Sequence, residues 1–168
     1  MAYIFTPTTT QELKDVVDDW CRDKAEAENN FGHISNWNTE QITNMERLFK
    51  DKREFNDDIS SWDVSNVTNM NNMFKGAQNF NQPIGGWNVS KVTNMGSMFN
   101  NAQAFNHPIG KWDVSKVTHM HEMFSDAHSF NQDISDWNIS KVTHMNGMFR
   151  NARKFNHPIG DWNVSNVT

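Results

Sequence analysis

The chain has 168 residues, 15 Lys and Arg against 20 Asp and Glu, a formal charge of −5 and one cysteine, Cys21. That is about one domain of sequence. The acidic balance argues against electrostatic capture of nucleic acid or an anionic membrane, a single cysteine excludes an intrachain disulfide, and no apolar run of about 18 residues offers a bilayer span. Only 36% of the residues are hydrophobic, yet 12% are aromatic, so a polar chain is placing large rings at chosen positions.

The start, MAYIFTPTTT, has neither a basic n-region nor a long apolar stretch, so no signal peptide is predicted. Thr9-Thr10-Gln11-Glu12 has the form of a capping box. Leu13, Val16, Val17 and Trp20 come next at helical spacing, with Cys21 beside them. Residues 1–36 carry three basic and seven acidic side chains. This pattern predicts an amphipathic helix within a capping segment, 1–36, that covers the open end of a repeat array beginning at Trp37.

From Trp37 onward the chain repeats. Trp37, Trp62, Trp87, Trp112, Trp137 and Trp162 stand 25 residues apart. Met70/Met73, Phe74, Ala77, Phe80 and Ile84 recur at the same period, as do Val64 and Val67. The consensus is W-[DN]-V-S-x-V-T-x-M-x-x-M-F-x-x-A-x-x-F-N-x-x-I-x-x, in five copies and a seven-residue stub, Trp162–Thr168. Such a period means stacked units, and 25 residues is too short for a four-stranded propeller blade. Met95, Met98, Phe99 and Ala102 fall at i, i+3, i+4, i+7, the face of a short helix, with Thr93 or Asn94 as its N-cap. Trp87-Asn88-Val89 alternates as a short strand does. The expected fold is therefore an α/β repeat solenoid over 37–168, leucine-rich-repeat-like, with one short strand and one short helix per coil. In the first copy Thr39, Leu48 and Lys52 break the consensus, as suits a terminal repeat. The stub stops before the next predicted helix. The pattern favours a segment of a longer array, with self-association through the uncapped C-terminal coil as a corollary.

The motif W-[DN]-V-S-x-V-T-x-M-x-x-M-F-x-x-A-x-x-F-N resembles the repeats of BspA-like surface proteins, relatives of leucine-rich-repeat proteins long described as a domain of unknown function. The resemblance covers residues 37–168, and Gly32-His33-Ile34-Ser35-Asn36-Trp37 resembles that family's lead-in. It implies an α/β solenoid and, more loosely, surface adhesion or protein recognition. It supplies no catalytic residues.

Two columns are candidates for a ligand face. Asp63, Asn88, Asp113 and Asn138 lie between the apolar Trp and Val (or Ile139) and should face away from the core, on the sheet. They read either as donors and acceptors for a protein or glycan, or as a hydrogen-bond ladder between coils in which Asp alternates with Asn to keep like charges apart. The residue before each Trp varies: Asn36, Ser61, Gly86, Lys111, Asp136, Asp161. Variation at a fixed place suits specificity. The Thr68/Thr93/Thr118/Thr143 row invites an ice-binding reading, against which stands the simpler role of a cap. His119, His121 and His144 are the metal candidates, but Asn69 and Asn94 hold the His119 position in other copies, so no metal or cofactor is expected. No phosphate loop, G-x-S-x-G or H-E-x-x-H occurs. The expected function is a non-enzymatic recognition or adhesion module with a protein or glycan partner, the alternative a structural segment of a longer array.

Overall fold

The computed structural model describes residues 4–168, so Met1–Tyr3, part of the start on which the export reading rests, lie outside it. Two helices come first, α1 (Thr10–Arg22) and α2 (Lys24–Phe31). The Thr9 hydroxyl accepts the Glu12 N–H at 3.1 Å, and the Glu12 carboxylate reaches back to the Thr8 N–H at 2.9 Å. Both ends of a capping box are thus engaged, the return bond shifted by one residue. Asp23 separates the helices and caps α2 by accepting the Glu26 N–H. α1 buries Leu13, Val16, Val17 and Trp20. It is tied to the first coil by three contacts: Thr10 hydroxyl to Asn44 carbonyl, 2.8 Å; Trp20 indole to Asp57, 2.9 Å; and Lys52 to Asp18, 2.6 Å. Lys52, irregular in the consensus, is where it is because α1 rather than another coil lies beside it.

The repeats contain neither the strand nor the helix expected of them. Among the described residues, the only pairing of β type is a column of isolated parallel bridges, Asn44–Asn69–Asn94–His119–His144. These bridges fall after the Thr, not at Trp-x-Val, so there is no sheet and no concave sheet face. Where the helix was expected, each coil makes consecutive turns. The N–H of Met73 closes on the Met70 carbonyl, that of Lys75 on Asn72, and that of Ala77 on Phe74, at 3.0–3.1 Å. The third residue of alternate turns has positive φ: Arg47, Asn72, Ser97, Glu122 and Gly147 in one column, Asp51, Gly76, Asn101, Asp126 and Asn151 in the other. Left-handed backbone every fourth residue is incompatible with a helix. It is the pattern of type II turns. The spacing i, i+3, i+4, i+7 fits two successive four-residue turns as well as it fits a helix, which is why it misleads.

The left-handed residues also set how coils stack. Their N–H groups, with those of the residues two before, leave the coil and meet the next one. Met70, Asn72, Phe74 and Gly76 donate to the carbonyls of Asn94, Gly96, Met98 and Asn100 at 2.8–2.9 Å, and the same four bonds recur at each coil–coil step from Met45 to Arg150. Thr93 is not a helix cap. Its N–H and hydroxyl both go to the Thr68 carbonyl of the preceding coil. Asn94 accepts the Gly96 N–H, a local Asx turn.

The core lies inside the coils. Trp62, Trp87, Trp112 and Trp137 each donate the indole N–H to the carbonyl of Ile34, Ile59, Ile84 and Ile109 in the coil before, at 2.9–3.3 Å. Phe49, Phe74, Phe99, Phe124 and Phe149 form a continuous stack with centroids 5.4–5.8 Å apart. A parallel stack runs through Phe55, Phe80, Phe105, Phe130 and Phe155 at 5.9–6.2 Å. In the fifth coil Met145, Phe149, Phe155 and Ile159 are only half-buried, whereas Met120, Phe124, Phe130 and Ile134 are wholly buried.

Two outcomes check this architecture. Trp112→Ala removes a buried ring and its bond to Ile84, and should lower the unfolding free energy by about 3–5 kcal/mol in urea melts; a loss under about 1 kcal/mol would mean the ring is not holding the stack. Asn101→Val should cost about 1–2 kcal/mol, because a β-branched residue resists positive φ, while Asn101→Gly should not lower the melting midpoint. In a helix Gly would instead be the more damaging of the two.

Candidate functional site

All ten residues of the two candidate columns, Asn36, Ser61, Gly86, Lys111, Asp136, Asp161, Asp63, Asn88, Asp113 and Asn138, are exposed. They flank the Trp on irregular turns rather than on a sheet. The post-Trp column does not form the ladder between coils that was one reading of it. Each side chain turns back on its own coil: Asp63, Asn88, Asp113 and Asn138 accept the N–H of Ser65, Ser90, Ser115 and Ser140 at 2.9–3.2 Å. These are Asx turns, which need a short side chain with an acceptor oxygen and take Asp or Asn alike. Hydrogen bonds from the hydroxyl and amide of Ser65 hold the Asp63 carboxyl below its usual range, and Ser115 does the same for Asp113. The column therefore has a local task that accounts for its constancy.

The pre-Trp column has no such common task. Asn36 ends the short 3-10 turn Ile34–Asn36. The Ser61 hydroxyl donates to the Ser35 carbonyl one coil back. Gly86, Lys111 and Asp136, from three successive coils, line one shallow depression of about 570 Å³ together with Pro108, Gln132 and Asp133. Asn36, Ser61 and Asp161 lie outside it. The floor is brought close by Gly85 and Gly110: a Cβ on Gly85 would stand 2.2 Å from the Pro108 carbonyl oxygen, and one on Gly110 2.4 Å from that of Asp133. The depression so combines one cation, Lys111, with the Gln132 amide and the carboxylates of Asp133 and Asp136. Amide and hydroxyl bonds from Ser135 keep the Asp133 carboxyl ionised to lower pH than usual. Such a surface offers both donors and acceptors to a polar ligand, and its lining holds no nucleophile paired with a base.

The sequence reading missed Pro108, Gln132 and Asp133 as neighbours of this column. Each stands only three or four residues before a column member, Lys111 or Asp136, but the depression joins them across neighbouring coils; the P-I-G and D-I-S variants before the Trp were the available signal. It also missed a second depression, about 530 Å³, between α1 and the first coil, lined by Trp20, Cys21, Lys24, Lys52, Arg53 and Asp57 among others. Its charges are largely matched. Asp57 accepts from Trp20 and Lys24; burial alone would raise its carboxyl, but these bonds bring it below the usual range. Cys21 lies on the exposed side of α1 rather than against its buried face, and desolvation by the surrounding protein holds its thiol up at about 11. The Phe-Asn residues are likewise surface features: Asn56, Asn81, Asn106 and Asn131 each accept the N–H of the equivalent Asn one coil on, at 2.8–2.9 Å. Among the described residues, no helix is long and apolar enough to cross a membrane.

No curated protein and no solved structure matches the chain. A family profile does. DUF285, described as a Mycoplasma protein of unknown function, matches residues 19–113 and again 84–168. The two matches overlap and together run from the end of α1 through every coil, so the chain belongs to the DUF285 family.

Proposed function

We propose that the chain is a non-enzymatic recognition module, of the adhesion type, that binds a protein or glycan through the exposed residues preceding each Trp. One observation carries the reading. The post-Trp, Thr and Phe-Asn columns each repeat one hydrogen bond from coil to coil, whereas the pre-Trp column is exposed, repeats no such bond and differs from coil to coil. Gly86, Lys111 and Asp136 meet in one depression, so variation there alters a continuous surface. The resemblance of the W-[DN]-V-S motif to BspA-like surface proteins supports the adhesive side of this reading. The mixed charge of Lys111, Asp133 and Asp136 favours a polar partner over an apolar or purely cationic one.

The test replaces Lys111, Asp136 and Asp161 with Ala together. Binding of the native chain and of this variant is measured on immobilised glycan and protein panels. The variant should lose at least about tenfold in affinity for the partners the native chain selects, with an unchanged melting curve, since all three side chains are exposed. Retained affinity would exclude this column as the binding face.

A further inference from the structure

The bridge column that joins the coils changes chemistry near its end. It is Asn44, Asn69 and Asn94 in the first three coils, then His119 and His144 in the fourth and fifth. Each Asn also has a local task, its side chain accepting the N–H of Glu46, Asn71 or Gly96. The two His residues turn instead to the Thr before them. His119 Nδ1 lies 2.8 Å from the Thr118 hydroxyl, and His144 Nδ1 2.8 Å from the Thr143 hydroxyl. Their rings stack with centroids 4.5 Å apart and planes within 9°.

Three bonds clamp the fifth coil onto the fourth beside this stack. The Thr143 N–H, the Thr143 hydroxyl and the His144 N–H all donate to the Thr118 carbonyl, at 2.9–3.2 Å. A charged ring keeps its place on the clamp, because a Thr oxygen accepts from Nδ1–H while its own proton goes to the carbonyl one coil back. The surroundings supply no counter-charge. On its third-coil side His119 meets the neutral Asn94, and beyond His144 lies Thr168, bonded to the Thr143 carbonyl. His121 stands edge-on to His119 at 6.4 Å, over Gly96, in space that a Cβ there would fill. The Glu122 carboxylate is taken by the Ser97 hydroxyl and the Asn100 amide. The charged side chains just before the stack are Lys116 and Lys141, themselves cations. Among the described residues no ion pair includes an imidazole. Partial desolvation, then the nearby His144 and His121, lowers the His119 pKa.

We infer that the His119–His144 stack is an acid-sensitive joint: charging both rings loosens the step between the fourth and fifth coils and leaves the earlier steps as they were. Two imidazolium rings stacked this closely repel, and neither swings away without breaking the Thr bond that ties it to the clamp. In the unfolded chain the same rings are apart and take protons at the ordinary imidazole value. A His whose folded pKa is depressed contributes stability that is whole above the unfolded value and is lost as pH falls through it. The joint therefore holds at neutral pH and weakens on acidification. The earlier steps set Asn against Asn, or Asn94 against His119, and carry no such pair of charges. The joint is separate from the depression at Lys111 and stands or falls independently of it.

The test follows the full chain from about pH 7.5 to about pH 5.5, a window that spans the imidazole range and leaves most carboxylates ionised. Nuclear magnetic resonance reads the titration of the His119 ring and the exchange protection of the Thr143 amide, corrected for the intrinsic rate. The variants are His144→Asn, which restores the residue of the first three coils, and His157→Asn, a control at an unrelated imidazole. In the native chain the Thr143 amide should lose at least about threefold in protection across the window, while the Thr93 amide, which makes the equivalent bond to Thr68, keeps its own. His144→Asn should move the His119 titration upward, though not all the way, since desolvation remains, and should abolish the acid loss at Thr143. His157→Asn should behave as the native chain does. A His119 titration unmoved in His144→Asn, or an equal loss of Thr143 protection in that variant and the native chain, would overturn the joint. His119→Asn repeats the reading from the other side of the stack: protection of Thr143 that no longer varies with pH supports the joint, and a native-like loss refutes it.

Discussion

Every coil depends on a division of labour among backbone N–H groups. Between Met70 and Ala77 the N–H groups of Met70, Asn72, Phe74 and Gly76 leave for the next coil, while those of Met73, Lys75 and Ala77 close turns within their own. A buried N–H without a partner costs more than most side-chain contacts return. Left-handed backbone at Asn72 and Gly76 keeps this segment from forming a helix, and its path is too irregular for a sheet. Alternation satisfies it anyway, one set of donors along the axis and one set around it. The left-handed residues are the hinges of that alternation, since positive φ turns their N–H out of the coil. Asp, Asn and Gly fill most of these places because they adopt the conformation at least strain.

With the backbone arranged in this way, the apolar side chains have one direction in which to go. The two residues that close a turn and open the next, such as Met98 and Phe99, point inward together. Their rings and thioethers then meet their counterparts one coil away, and the Phe stacks result. The Trp joins the two systems. Its ring is buried, and its indole N–H reaches an Ile carbonyl one coil back that also accepts a backbone N–H within its own turn, as Ile84 accepts both the Trp112 indole and the Trp87 amide. At the N-terminal end α1 takes over the apolar part of this task, and Thr10 supplies a donor to the Asn44 carbonyl.

The buried set was legible in the sequence, because a ladder of Trp, Met, Phe and Ile at a fixed period has no use on a polar surface. The α1 helix was legible from Thr9, Glu12 and the spacing of Leu13, Val16, Val17 and Trp20. The local structure of the coils was not. Apolar spacing reports which residues share a side, and a helix and a pair of four-residue turns place the same residues on one side. The column Asp51, Gly76, Asn101, Asp126, Asn151 carried the distinguishing signal, since no helix selects Asx and Gly at one interior position. Exposure of the pre-Trp residues was legible from their variability. Their convergence with Pro108, Gln132 and Asp133 was not, because that depends on how far one coil is offset from the next. The role of Asp63 and its equivalents escaped for a related reason: an Asx turn and a ladder between coils call for the same residue types.

The Phe stacks and the Trp–Ile bonds all run along one axis, and each joins a coil only to its neighbours. A pull on the two ends of the chain loads these contacts in series. The weakest step then yields before the others feel more force, and the coils on either side of it keep their own contacts. Each coil that gives way frees 25 residues, about 85 Å of slack. The fold is in this sense a row of mechanical fuses, able to lengthen under tension by whole coils and to rewind one coil at a time on those that remain.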